Sequence, residues 1–148
     1  MKRIKTIVLL SIILFTSSIG SALAETTENV AQKNISNFDW TPVINAIIQV
    51  ESNGDKKAKS GASVGAMQIT PVLVSECNRI LRRKKSKKRF KLSDRYSLAK
   101  SKEMFLLIQS VYNPLNNIEK AIRSWNGGNH YSVSKTQRYF NKVMSILK

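Results

Sequence analysis

Wherever this chain shows a hydrophobic pattern, its apolar residues recur at intervals of three and four, and no stretch alternates convincingly as a strand. That periodicity constrains the fold to helices packed on helices. Thr41-Pro42 predicts a helix start, with a capping hydroxyl followed by proline at the first helical position. Trp40, Ile44, Ile47 and Glu51 then follow at spacings of four, three and four, so they share one face. Gly54 is the expected C-terminal cap of this helix. Thr70-Pro71 repeats the start signal, and Leu73, Cys77 and Ile80 or Leu81 make the stripe of a second helix. A third is expected from about Leu98 to Tyr112, with Phe105, Ile108 and Tyr112 inward and Pro114 enforcing its end. Asn116 with Glu119 opens a fourth, whose buried positions are Ile118, Ala121, Ile122 and Trp125, until Asn126-Gly127-Gly128 stops it. Ser134 with Gln137 opens a fifth, carrying Tyr139, Val143, Ile146 and Leu147. The expected fold is mainly α, one domain of about five helices with at most a minor β element in the glycine-rich segment and no internal repeat.

The N-terminus has the three parts of a secretory signal: basic Lys2, Arg3 and Lys5, an apolar run from Ile7 to Phe15, and small residues leading to Ala22-Leu23-Ala24. Cleavage after Ala24 is expected to place the mature chain in the periplasm or outside the cell. The run is too short for a confident membrane span, and no second long apolar segment follows. Residues 25–37 read as a flexible leader and 38–148 as the folded domain. Losing Lys2, Arg3 and Lys5 lowers the formal net charge from +16 to +13. So basic a protein is drawn to anionic partners such as wall polymer, lipid headgroups or nucleic acid. Ten of its cations fall between Arg79 and Arg95, a density that opposes a packed helix and predicts a mobile loop or frayed helix end. Phe90 and Tyr96 are the only aromatics in or beside this run, too few to support base stacking, so a solvated loop attracted to the wall is favoured. Single copies of cysteine, Cys77, and histidine, His130, exclude an intrachain disulfide, a zinc site of the usual ligand count, and any serine triad made without this histidine. Cys77 reads as a small buried hydrophobe and His130 as a solvent-exposed loop residue.

The candidate chemistry lies between Val50 and Pro71, where an apolar helix face ends in Glu51 and the chain turns small, polar and glycine-rich. Desolvation and the negative end of the helix dipole both favour the neutral form of such a carboxyl group. A protonated carboxyl at neutral pH is what a general acid requires.

Four separate blocks extend this reading: Glu51-Ser52-Asn53-Gly54 with Ala58-Lys59-Ser60, Gly65-Ala66-Met67-Gln68-Ile69-Thr70-Pro71, Trp125-Asn126-Gly127-Gly128, and Thr136-Gln137-Arg138-Tyr139. In order and spacing they resemble the soluble lytic transglycosylases of the lysozyme superfamily, over roughly residues 43–147. The resemblance implies a goose-type lysozyme-like fold that cleaves the bond between N-acetylmuramic acid and N-acetylglucosamine in peptidoglycan. It makes Glu51 the single catalytic acid and base, and Ser52 the neighbour that orients the carboxyl or the substrate. Met67 and Gln68 become cleft-lining residues, Asn126 belongs to a block near the catalytic Glu, and Tyr139 is the tyrosine of the last block. Trp125 stands where the family has tyrosine, keeping a stacking surface but losing a hydroxyl. Ala66 replaces a usual leucine, Ala62-Ser63 a usual Gly-Ala, and the interval from Ser60 to Gly65 is one residue short.

Glycosidases that use two carboxylates need them about 5 to 9.5 Å apart. Asp55, the only acid near Glu51 in sequence, follows the helix-ending Gly54, and no other acid falls in a matched block. A one-acid route is therefore expected, ending in 1,6-anhydromuramyl products without metal or cofactor. The alternatives are a muramidase that delivers water to the same bond and a secreted basic DNA-binding module. The expected partners are peptidoglycan glycan strands and a secretion or conjugation apparatus. No specific nucleic acid, stable membrane span or oligomer is expected.

Overall fold

The computed structural model describes residues 38–148, so the expected signal (1–24) and leader (25–37) lie outside the described residues. Among these residues the order is α1 (Thr41–Ser52), β1 (Lys59–Ser60), β2 (Ser63–Val64), α2 (Pro71–Arg83), a 3-10 turn (Leu92–Tyr96), α3 (Leu98–Tyr112), α4 (Ile118–Gly127) and α5 (Val133–Leu147). The fold is mainly helical, and its one small sheet is the antiparallel β1–β2 pair within the glycine-rich segment, with Lys59 opposite Val64. No helix among the described residues is long and apolar enough to cross a membrane.

The helices form where the periodicity places them, but several caps differ. Thr41 does not cap α1; it is the first helical residue, and its N–H donates to the Asp39 carboxylate at 2.9 Å. A carboxylate is the stronger acceptor at the positive end of a helix, which explains the exchange. At the other end the C-cap is Asn53, one residue before the expected Gly54; Asn53 takes the left-handed conformation (φ 58°), its N–H bonding the Gln49 carbonyl and its side chain held by the Gln49 amide, and Gly54 follows at φ 86°. The α4 cap is Asn117, which accepts from the Lys120 N–H at 2.8 Å, and the α5 cap is Ser132, not Ser134. Thr70 caps α2 as expected, and Ser97 caps α3.

One buried residue accompanies the shifted starts of α4 and α5. Arg123 is 3% exposed on α4, among positions read as apolar. Its guanidinium donates to Glu119 (2.7 Å), the Val133 carbonyl (3.0 Å), Thr136 (3.1 Å) and Gln137 (2.9 Å), and lies 4.3 Å from the Phe140 ring centre. Glu119 and Gln137 are thus engaged with Arg123 instead of closing capping boxes. Ile118 and Ile146, expected inside, are exposed. A buried charge satisfied on every side is tolerated, and this one locks α4 to α5.

The core joins all five helices around Ile47, Met67, Cys77, Phe105, Ile122 and Val143. Trp40, Phe105 and Trp125 form an aromatic ladder with ring centres 5.5 and 5.3 Å apart. Cys77 is buried as expected, and that burial pushes its thiol up to about 12, so it stays protonated.

The basic run departs from expectation. α2 continues to Arg83, and the chain beyond it is pinned instead of loose. The Asn78 amide donates to the Phe90 carbonyl at 2.9 Å, the Phe90 N–H donates back at 2.8 Å, and the Phe90 ring is buried. Most of the cations face water while the Phe90 ring enters the core, which lets dense like charge coexist with a defined path.

Candidate active site

Helical phase carries Glu51 into the last turn of α1, at the edge of the core formed by Ile44 and Ile47. Its carboxyl is partly buried, and burial pushes its pKa above the ordinary value. Tyr139 on α5 donates its hydroxyl to Glu51 Oε1 at 2.7 Å. This bond favours the ionised form and opposes the burial effect, but it is the smaller of the two. Burial, followed by the neighbouring Glu51 charge, raises the Tyr139 pKa far above its usual value, so the hydroxyl remains a donor.

Glu51 opens into a cavity of about 430 Å³ lined by Val50, Asn126, Tyr139 and three cations of α5: Lys135, Arg138 and Lys142. It is the only acid lining this cavity, and among the described residues no cation is paired with it. Asn126 also borders a second, more apolar cavity of about 280 Å³, whose lining includes Thr70, Leu73, Glu76, Ile108 and Trp125. Trp125 is both core and cleft residue, meeting Phe105 and also lining this second cavity. Gly127 packs α4 against α5, since a Cβ there would lie 2.8 Å from both Thr136 Cγ2 and Tyr131 Cβ.

The wall beside Glu51 is built from backbone. The Ser52 hydroxyl donates to the Ala66 carbonyl at 2.8 Å, tying α1 to the glycine-rich segment instead of contacting the carboxyl. The Gln68 amide donates to the Gly65 carbonyl within its own turn, where Gln68 takes a positive φ of 47°. Met67, expected to line the cleft, is fully buried, because an apolar thioether gains more from the core than from a hydrated groove; it supports the wall from behind. Ser52, Met67 and Gln68 line neither cavity, whereas Glu51, Asn126 and Tyr139 meet in the first and Trp125 joins Asn126 in the second.

Sequence reasoning missed the buttress behind this wall. Arg95 Nη1 donates to the Ala62 carbonyl at 3.0 Å and to the Ile69 carbonyl at 3.3 Å. Gly65 has φ 78°, and a Cβ there would sit 2.0 Å from the Arg95 carbonyl oxygen, so only glycine fits this approach. The last residues of the basic run thus hold up the cleft wall. The α5 cations were legible in principle, because Lys135, Arg138 and Lys142 fall four, one and three residues from Tyr139 on one helix face.

The family model for the transglycosylase SLT domain matches residues 28–145. No curated protein and no solved structure matches the chain.

Proposed function

The chain belongs to the transglycosylase SLT domain family, so its activity is of the lytic transglycosylase type and directed at peptidoglycan; from this premise we propose that it cleaves the MurNAc–GlcNAc bond non-hydrolytically, with Glu51 as the sole acid and base. The observation that carries the reading is a partly buried carboxyl, among the described residues the only acid lining its cavity, whose pKa is raised by burial and whose side-chain partner there is the Tyr139 hydroxyl.

In this mechanism protonated Glu51 gives its proton to the leaving glycosidic oxygen as the bond to the muramyl anomeric carbon breaks. The muramyl N-acetyl oxygen stabilises the positive charge that develops at that carbon. Glu51, now a carboxylate and steadied by Tyr139, takes the proton from the muramyl 6-hydroxyl, whose oxygen closes onto the anomeric carbon. The proton returns to Glu51 and the product is a 1,6-anhydromuramyl end, with no net uptake of water. Asn126 and Trp125 supply an amide and a ring face along the adjoining cavity, suited to sugar hydroxyls and apolar sugar faces.

The second carboxylate of a two-acid glycosidase has no candidate in the Glu51 cavity. Glu76, in the adjoining one, has its pKa lowered from the ordinary value, chiefly by its hydrogen bond from Arg79. Residues 1–24 are proposed as a cleaved secretory signal, placing the enzyme in the periplasm or outside the cell beside its glycan substrate. A secretion or conjugation apparatus is a proposed partner.

The test is digestion of purified peptidoglycan by wild type and Glu51→Gln, with products read by mass spectrometry. Anhydromuramyl ends from wild type alone are expected. Equal lysis by both proteins sinks the role of Glu51, and ends heavier by one water place the enzyme among hydrolytic muramidases.

A further inference from the structure

The basic run supplies more than the wall's buttress. Residues 79–95 hold ten cations and one acid, Asp94, a net +9 of the chain's +16. Some of these charges are engaged within the fold: Arg79 pairs with Glu76, Lys88 pairs with Glu103, and Arg95 holds the backbone of Ala62 and Ile69. Arg82, Arg83, Lys84, Lys85 and Lys87 are exposed and make no side-chain hydrogen bond or ion pair among the described residues. The Asn78 clamp on Phe90 fixes the far end of this strap.

The apolar residues of the strap discriminate among polyanions. Leu92 is 53% exposed and Tyr96 37% exposed in the 3-10 turn at its end. Phe90, the aromatic residue among the cations, is 5% exposed and offers no ring to a nucleobase. A glycan or phosphodiester backbone gains little from an exposed leucine. An anionic bilayer uses both features, since its headgroups attract lysine and arginine and its interfacial zone accepts a leucine and a tyrosine.

We infer that the strap from Arg82 to Tyr96 is a docking surface for an anionic phospholipid bilayer. Arg82, Arg83, Lys84, Lys85 and Lys87 provide the attraction, and Leu92 and Tyr96 enter the interface. The surface is separate from the Glu51 cavity in composition and does not depend on which reaction Glu51 performs.

Co-sedimentation of the purified protein with vesicles tests it. Binding is expected to vesicles of phosphatidylglycerol mixed with phosphatidylcholine, to weaken with added salt, and to be at least tenfold poorer on phosphatidylcholine alone. Changing Arg82, Lys84, Lys85 and Lys87 together to Gln should weaken binding by on the order of 600-fold, since each cation near such a surface contributes about fivefold. An equal charge loss at exposed Lys56, Lys57, Lys59 and Lys148 should change it by less than about fivefold. Leu92→Ser should cost about fivefold on vesicles and nothing on purified peptidoglycan or duplex DNA. Circular dichroism confirms that each variant is folded. Equal losses from both charge sets, or an unchanged Leu92→Ser protein, overturns the bilayer assignment. If the strap variant loses wall or DNA binding as strongly as vesicle binding, the surface is a general polyanion patch and the inference fails.

Discussion

Glu51 and Glu76 are built from similar parts and driven in opposite directions. Each is a glutamate on a helix, each lines one of two adjoining cavities, and each accepts the hydroxyl of a distant tyrosine, Tyr139 for one and Tyr112 for the other. The difference is a guanidinium and the depth of the site. Arg79 grips Glu76 through Nε at 2.7 Å and Nη2 at 2.6 Å, and this contact holds its pKa low. Glu51 has no paired cation and is more deeply buried, so its pKa is raised. A tyrosine partner alone therefore does not decide the charge state of a carboxyl group; burial without a counter-charge does.

The largest expected difference between the two is catalytic. Glu51→Gln should lower the lytic rate by about 10³-fold or more, and Glu76→Gln by no more than a few-fold, measured as release of soluble muropeptides. Comparable losses would erase the distinction. A smaller effect is expected from the tyrosines. The proton-donating form of Glu51 is lost as pH rises through its pKa, so the alkaline limb of the rate profile reports that value. Tyr139→Phe removes a bond that favours the ionised form, so the limb should move to higher pH, with a rate loss of about tenfold at neutral pH. Tyr112→Phe should leave the limb in place.

Stability should separate the glutamates by sign. A carboxyl whose pKa is raised by folding binds its proton more tightly in the folded state, so Glu51 makes the protein lose stability as pH rises from the unfolded value through the folded one. Glu51→Gln should therefore be more stable than wild type at neutral pH, with the difference narrowing in acid. Glu76 has a lowered pKa, so its contribution is present above the unfolded value and is lost as pH falls through the folded one. Glu76→Gln should be less stable than wild type at neutral pH by under about 1 kcal/mol, because the pair is near the surface. Urea melts from pH 4 to 8 check both signs. The smallest effect is expected from Arg79→Met, which should raise the Glu76 pKa, followed by carboxyl ¹³C NMR, while leaving that of Glu51 unchanged.

Much of this was legible because it depends on spacing. Four, three and four residues from Trp40 to Glu51 fix the acid on the buried face, and the bounds of α3 agree with the reading from Leu98 to Tyr112. Capping was less legible, because Asn116 and Asn117, or Ser132 and Ser134, are equivalent chemically and differ only in register. The buried Arg123, which reaches from Glu119 to Gln137, accompanies the register observed. Among the candidate site residues, Met67 shows the limit of motif matching: a residue beside the cleft in sequence is fully buried behind its wall.

The sequence by itself determined a mainly helical domain, a single acid at the end of its first helix, and a glycine-rich wall after it, because periodicity, charge and backbone freedom are local properties. Tertiary structure decided that Tyr139, 88 positions away, reaches Glu51, that Arg95 supports the wall, and that Arg79 falls to Glu76 and not to Glu51. Whether a carboxyl holds its proton depends on which groups the fold brings within a few ångströms and how much water it leaves there.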